Sequence, residues 1–477
     1  MRSHKAVWIG FALLLLACRT AILLLSSTGG LSGDGPSYLE AALHLIETDK
    51  LPPLVDTHLF GYPLLISPVV AAFNKHPVVA VQVFQALLDV GLVASLGIIA
   101  WKTLARYSVL VAGLMTAAII IQPFTATSAN ALYTETVDTI LMTASLLLFA
   151  RSCIKGKVPL AASLLLGLAA TMRVELIPLA VALSAAYWLI ITVGKWAPPR
   201  FVTAFSMLVV TIIPLVSLVA LQTVSTGEAG VVRYETPGYY DAWMRTSFLT
   251  EKEYTRLFWD AGQDGWEGFR LDAYPRRAFA DDQERAQIAN ILKKWQAEGY
   301  TAEVDRAFAT IYETKLNSTP AKFFLIIPLI RMAHFWINVD GAQSFLRAVS
   351  IKRPYSLGIV GIAIALRAIF IVLAIVGAAT VWIPRSARSL PPFLRVLGQA
   401  ASILVTLRTV ELGALGTFVL AGLMEIRYAN IVFPAVILLA VVGARTLTVR
   451  MYAHRSATEP ASRRSPQLAG VWASEGA

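Results

Sequence analysis

Apolar positions along this chain fall into long blocks, separated by shorter polar segments. A helix that crosses a bilayer needs about 20 mostly apolar residues. Ten blocks approach or exceed that length, near 6–27, 77–101, 107–122, 131–150, 158–172, 176–193, 201–222, 356–383, 397–422 and 428–447. Lipid offers no hydrogen-bond partner to backbone N–H and C=O groups, so such spans must be helical. The pattern predicts an all-α polytopic membrane protein with about ten spans.

Two polar insertions interrupt the blocks and divide the chain. The pattern predicts a seven-span module over 1–222 with an outer loop at 28–76, a mostly helical polar domain over 223–355, and three further spans over 356–450. Residues 451–477 form a polar tail that we expect to be disordered.

Three segments inside the insertions read as helices that do not cross the membrane. Residues 281–299 have an acidic start, an apolar face and a glycine stop, which together are typical of a surface helix. Residues 59–73 are too few to span. Residues 321–339 are long enough, but they contain Arg331 and His334, so we expect an interfacial helix with Phe335 and Trp336 at headgroup level.

Composition agrees with a membrane protein: 56% of the 477 residues are hydrophobic and 15% are charged, against about 25% charged in soluble domains. The net charge is +11. Residues 225–355 hold 17 Lys+Arg and 17 Asp+Glu, so the excess lies in short loops and the tail. The positive-inside rule then predicts a protein of the plasma membrane with both termini on the cytoplasmic side and the polar domain outside. No basic domain interleaved with aromatics appears, so we expect no nucleic-acid partner.

The two cysteines and the N-terminal apolar block do not alter the predicted architecture. Cys18 and Cys153 lie in or near different apolar blocks, which indicates neither a disulfide framework nor a metal cluster. The first block loosely resembles a cleaved leader, but Arg19 follows the cleavage-like box and the apolar run resumes. An uncleaved first span is the simpler interpretation.

A carboxylate stands at the start of the outer loop, in the stretch GDGPSYLEAAL at 33–43. Gly33, Gly35 and Pro36 stop the preceding helix from continuing, and Pro36 suits the first position of a new helix. Its predicted apolar face is formed by Tyr38, Leu39, Ala42, Leu43 and Ile46. Asp34 then lies at the membrane surface, either as a functional carboxylate or as a plain helix N-cap.

Four stretches in this order resemble the type C membrane glycosyltransferases, a group that includes the bacterial aminoarabinose transferases and the protein O-mannosyltransferases. The first is Asp34 followed by Tyr38, a short helix and a GYP triplet. The others are NALYTETVDTILMTASLLLFAR at 130–151, GLAATMRVELIPLAV at 167–181 and MEIRYANIVFPAVILLA at 424–440. The resemblance covers about 200 N-terminal residues and the C-terminal spans.

The resemblance implies a fold of that type and a reaction at the outer face. A sugar on a polyprenyl phosphate is attacked at its anomeric carbon by an acceptor hydroxyl of unknown identity. Asp34 matches the catalytic base of the family. The mannosyltransferase branch usually has an Asp-Glu pair here, whereas this chain has Asp34-Gly35, so Glu135 is the candidate for the second carboxylate.

The remaining candidate substrate-binding residues follow the same motifs: Tyr38, His58, Tyr62, Asp138, Arg173, Glu175, Glu425, Arg427 and Tyr428. Arg173 and Arg427 suit a phosphate because guanidinium binds it bidentately. Plainer interpretations stay open. Glu135 can pair with Arg173, Arg173 can close a hairpin with Glu175, and Arg427 can snorkel to the interface.

Two other functions and one metal site fit some of these features. A transporter or flippase of a lipid-linked sugar also needs intramembrane charges, but no internal repeat is visible. A scaffold that only presents the polar domain leaves Asp34 and Glu135 unexplained. A divalent metal on Asp34, His58 and Glu135 lacks tight ligand spacing, so we expect no cofactor.

Overall fold

The structure is a computed structural model, and it describes residues 2–25, 34–52, 59–125, 132–194, 196, 201–227, 238–247, 249, 251–258, 266–337, 353–415 and 430–458. Within those residues the regular structure is helical. The chain divides into two compact units. Unit 1 takes Met1–Val231, Val339–Val405 and Asn430–Ala477, and unit 2 takes Val232–Asn338 and Thr406–Ala429.

Nine helices precede the polar domain: α1 (Arg2–Leu25), α2 (Gly35–Thr48), α3 (Gly61–Ala72), α4 (Pro77–Leu104), α5 (Val109–Ile121), α6 (Glu135–Ile154), α7 (Leu160–Ala170), α8 (Leu176–Gly194) and α9 (Phe201–Thr226). The next five belong to unit 2: α10 (Gly238–Thr246), α11 (Glu251–Phe258), α12 (Asp282–Glu298), α13 (Ala302–Ser318) and α14 (Ile327–Ile337). Four more follow: α15 (Arg353–Trp382), α16 (Pro384–Arg388), α17 (Pro392–Val410) and α18 (Phe433–Thr458). These counts cover only the described residues.

Seven helices of the described chain are long and apolar enough to cross a membrane: Pro77–Leu104, Glu135–Ile154, Leu176–Gly194, Val202–Thr226, Gly361–Trp382, Pro392–Gly413 and Phe433–His454. The chain is therefore a multi-pass membrane protein. The other three predicted spans coincide with α1, α5 and α7. At 13 and 11 residues, α5 and α7 rise only about 20 and 16 Å at 1.5 Å per residue, less than a hydrocarbon core of about 30 Å.

Glycines allow close helix contacts in unit 1. A Cβ on Gly377 of α15 would lie 2.0 Å from the Leu439 carbonyl oxygen of α18, and one on Gly443 would lie 2.0 Å from that of Leu373. The α7–α9 contact is built similarly, since a Cβ on Gly167 would lie 2.3 Å from the Thr211 carbonyl oxygen. Small residues let apolar helices approach until their backbones touch, which is the main source of packing energy in lipid.

Unit 2 has an aromatic core of a kind typical of water-soluble domains. Tyr240, Trp243, Trp266, Trp295 and Phe308 are at most 5% exposed and contact one another. Burial raises the pKa of the Tyr240 phenol well above its usual range, and its hydroxyl donates to the Leu257 carbonyl oxygen at 2.8 Å. Burial of this many rings, each about 150–250 Å², gives the unit its own stabilising centre.

The predicted surface helix at 281–299 is confirmed as α12. Asp281 caps it by accepting from the Glu284 N–H at 2.7 Å, and Gly299 ends it with φ of 79°. A left-handed φ is strained for residues other than glycine, which explains the stop.

The described part of the predicted interfacial segment, 321–337, is helical, but Phe335 and Trp336, the aromatic residues expected at headgroup level, make contacts within the protein. Phe335 is 3% exposed, and the half-buried Trp336 indole donates to the Thr409 hydroxyl of the same unit at 3.0 Å. The exposed apolar side chains lie earlier, at Phe324, Leu325, Ile326, Leu329 and Ile330. The sequence did not show that residues 406–415 pack against α14.

The buried face of α2 and the end of the last helix also differ from expectation. In the predicted apolar face of α2, Tyr38 and Ala42 are buried but Leu43 and Ile46 are exposed, and Ala41 is buried instead. The buried stripe is thus rotated toward Ala41. At the C-terminus, α18 continues to Thr458, beyond the boundary expected at 450, and residues 459–477 lie outside the described part.

Candidate functional site

A contact between two short segments brings the site together at one end of the unit 1 helices. The Gly61 N–H at the start of α3 donates to the Thr171 carbonyl oxygen at 3.1 Å. A Cβ at position 61 would lie 2.3 Å from that oxygen, so only glycine fits. The contact fixes the GYP triplet against the turn between α7 and α8, which carries Arg173 and Glu175.

Arg173 lies between two carboxylates. Its Nη1 is 2.9 Å from Glu135 Oε1, its Nε binds Glu175 Oε1, and Nη1 also donates to the Thr134 hydroxyl at 3.3 Å. Glu135 is 1% and Glu175 6% exposed. Both plainer pairings considered for these residues are present, and they connect the start of α6 with the α7–α8 turn.

Two more polar groups in the same region lack well-formed hydrogen bonds. Asp138 is fully buried on α6, one turn after Thr134, whose hydroxyl lies beside it, yet neither of its carboxylate oxygens has a partner of good geometry in the described structure. The buried Tyr62 hydroxyl is likewise unpartnered. Burial raises the pKa of Tyr62, and Glu135 and Asp138 raise it further, so this phenol stays neutral and can donate.

Tyr38 connects this cluster to α2. Its ring meets that of Tyr62 edge-to-face, with centroids 5.0 Å apart, and both side chains belong to one buried apolar cluster with Leu132, Val137 and Met172. The Tyr38 N–H donates to the Asp34 carbonyl oxygen at 3.2 Å, which places Asp34 one helical turn before Tyr38.

Asp34 occupies the N-cap position of α2 but does not act as a cap. Its backbone is in the right-handed helical region (φ −74°, ψ −10°), and its side chain makes no capping hydrogen bond. It is half-buried and takes part in a further interaction. The plain N-cap interpretation of Asp34 therefore lacks the hydrogen bond that defines it.

Four predicted site residues cannot be placed. His58, Glu425, Arg427 and Tyr428 lie outside the described residues. The structure thus groups Tyr38, Tyr62, Glu135, Asp138, Arg173 and Glu175, with Asp34 one turn from the first of them.

Sequence reasoning missed the side chains that hold this cluster in place. The Gln85 amide of α4 donates to the Tyr133 carbonyl oxygen at 2.7 Å, which fixes the segment leading into α6. Thr134 and Thr171 act through backbone or side-chain hydrogen bonds that no spacing rule identifies. The sequence carried one usable signal, namely that Gln85 is a polar residue within an apolar block.

A second buried ionic group lies elsewhere in unit 1. Arg19 of α1 is 2.7 Å from Asp89 of α4, and its Nη1 donates to the Gln122 carbonyl oxygen at 3.2 Å. Arg19 and Asp89 are 3% and 1% exposed, so the pair is shielded from solvent. Charges in a span are normally paired in this way.

The described residues contain no group of three or more His, Cys, Asp and Glu side chains placed to hold a metal ion. The cluster around Arg173 contains carboxylates that can accept protons and the neutral Tyr62 phenol, which can donate a hydrogen bond. In comparisons with known proteins, no family model, curated protein or solved structure matches this chain.

Proposed function

We propose that this membrane protein is a glycosyltransferase that uses a polyprenyl-phosphate-linked sugar. Asp34 takes the proton from an acceptor hydroxyl while that oxygen bonds to the anomeric carbon. The bond from the anomeric carbon to the phosphate oxygen breaks, and the polyprenyl phosphate leaves with the electron pair. The acceptor is a glycan, lipid or protein at the outer face.

The observation that carries this proposal is the position of Asp34 at the start of an amphipathic helix whose N-terminus it does not cap. A half-buried carboxylate at a helix start that makes no capping hydrogen bond is suited to accept a proton. Its neighbour one turn away, Tyr38, packs on Tyr62 of the buried polar cluster.

The ion pairs support a division of roles within the cluster. Arg173 is bound by Glu135 and Glu175, so we assign it to orienting Glu135 and compensating the buried carboxylates. We therefore assign binding of the leaving phosphate to Arg427. Tyr428, the next residue, donates a hydrogen bond to it, and Glu425 precedes both in the same motif. Tyr62 donates to the sugar or phosphate. His58 completes the acceptor side.

The proposed topology follows the charges of the loops. Both termini face the cytoplasm, and the end of the helices that carries Asp34 and Glu135 faces outward. The exposed apolar side chains from Phe324 to Ile330 rest on the outer lipid surface, which accounts for their exposure.

The test is Asp34→Asn, which removes the base with almost no change of shape. We expect purified variant protein to bind the lipid-linked donor normally and to lose transfer by about 10²–10⁴-fold. Asp49→Asn is the matched control, because Asp49 is exposed at the other end of α2, where its left-handed backbone (φ 55°) suits Asn. Full transfer by Asp34→Asn would refute the base. Movement of intact lipid-linked sugar without transfer would favour a flippase.

A further inference from the structure

A groove in unit 2 lies between α12 and α13 and is separate from the cluster around Arg173. The two helices form a hairpin joined at Gly299–Thr301, and the groove occupies the part away from that turn, reaching Ala280 and Ser318. Its volume is about 590 Å³, within the range of about 300–1,000 Å³ that small-molecule sites occupy.

One wall carries a stripe of amides. Gln283, Gln287 and Asn290 line the groove, and their spacings of four and three residues place them on one face of α12. None of the three side chains is hydrogen-bonded within the described part of the chain. Each therefore presents an N–H₂ donor and a C=O acceptor to a ligand.

The opposite wall carries a stripe of hydroxyls. Thr310, Thr314 and Ser318 donate to carbonyl oxygens of their own helix, at 3.0, 2.7 and 3.1 Å. Their protons are thus committed, and their oxygens remain acceptors toward the groove. Together the walls match a partner whose groups both donate and accept.

Apolar groups lie between the two stripes. Ala307, Ile291 and Ile311 contribute to the lining, and Ile311 is 7% exposed. A sugar ring has an apolar C–H face edged by hydroxyl groups, so it complements apolar surface flanked by amides and hydroxyls. No aromatic ring lines the groove, so binding relies on hydrogen bonds and is expected to be weak.

The charges of the groove disfavour anions. Its ionised lining groups are Asp281, Glu284 and Lys315. The last two are both 7% exposed and form an ion pair of 2.7 Å, and Asp281, the N-cap of α12, is the third charge. The formal charge of the lining is therefore negative, which favours a neutral ligand over a carboxylated or phosphorylated one.

We infer that this groove binds a neutral, hydroxyl-rich ligand, namely a segment of glycan of two or three sugar units. The inference stands on the geometry of unit 2 alone and does not require the proposed transfer reaction.

The experiment uses the full chain in lipid nanodiscs prepared without glycoside detergents, which would compete. Binding of maltotriose, mannotriose and triacetylchitotriose is measured at millimolar concentrations by saturation-transfer NMR and calorimetry, with trigalacturonate as an anionic probe of similar size. We expect at least one neutral trisaccharide to bind, and trigalacturonate to bind at least tenfold more weakly.

Variants locate the binding. Gln287→Ala with Asn290→Ala should weaken it at least fivefold, and Thr310→Trp should abolish it by filling the groove. Gln296→Ala is the matched control, since Gln296 is an exposed amide of α12 outside the groove. Thermal melting confirms folding. No binding of any neutral trisaccharide, or equal binding by the double variant, overturns the inference. Because no lipid-linked donor is present, the result is independent of the Asp34 test.

Discussion

Gly61→Ala tests whether the contact between α3 and the α7–α8 turn holds the candidate site together. The added Cβ would lie 2.3 Å from the Thr171 carbonyl oxygen and 2.5 Å from its hydroxyl oxygen, whereas ordinary contact begins at 3.4 Å. The start of α3 must therefore move by about 1.1 Å, the difference between 3.4 and 2.3 Å. Both obstacles belong to a turn that is itself held by hydrogen bonds, so neither can yield cheaply.

The effect of Gly61→Ala on the free energy of unfolding has three parts, two unfavourable and one favourable. Overpacking costs about 1–3 kcal/mol. Loss of the hydrogen bond from the Gly61 N–H costs about 0.5–1.5 kcal/mol. Alanine lowers the backbone entropy of the unfolded chain, which stabilises the fold by about 0.5–1 kcal/mol. The expected net loss is about 2 kcal/mol, the middle of these ranges.

The assay is thermal stability of the full-length protein in detergent, followed by fluorescence-detected size exclusion. Gly91→Ala on α4 and Gly113→Ala on α5 are the controls, because a Cβ at either position meets nothing within 4 Å. We expect the midpoint of Gly61→Ala to fall several degrees below both controls. Under the proposed function its transfer rate also falls, by about 10²-fold, because Tyr62 is displaced by about 1 Å. A midpoint equal to that of Gly91→Ala would show that the contact does not form.

Three further predictions concern packing, charge and topology. Gly377→Leu should destabilise the α15–α18 contact strongly, whereas Gly361→Leu on the same helix, with nothing within 4 Å of its Cβ, should not; equal melting midpoints would contradict this. Burial lowers the pKa of Lys315 below its usual value and Glu284 opposes the shift, so Glu284→Gln should lower it further and cost about 3–5 kcal/mol near neutral pH. Because the unfolded chain then binds more protons than the folded one, that deficit should shrink as pH rises toward the unfolded pKa of lysine in urea titrations, and a deficit independent of pH would argue against it. A cysteine at Glu298 in a variant without native cysteines should react with an impermeant reagent in intact cells, and labelling only after lysis would invert the topology.

Part of the site was accessible from the sequence because its elements carry local signals. Pro36 after two glycines predicted the start of α2, and charged residues at the borders of apolar blocks marked Glu135 and Arg173 as unusual. The pairing of those two was only one alternative, because spacing along the chain does not say which of several carboxylates an arginine meets across helices. Likewise, the apolar residues of α2 predicted an amphipathic helix, but its buried stripe depends on tertiary neighbours, since Ala41 lies in a buried cluster with Phe60 and Leu218.

The sequence alone determined that this chain is helical and membrane-embedded, because block length and lack of charge suffice in a solvent that cannot hydrogen-bond to backbone. It also determined α12, whose cap, face and glycine stop are local. Only the tertiary structure decided that Arg173 lies between Glu135 and Glu175, that Gly61 touches Thr171, and that amides and hydroxyls face each other across a groove. Such contacts join residues far apart in the chain. They depend on differences of a few tenths of an ångström in the distance between backbones, which no periodicity encodes.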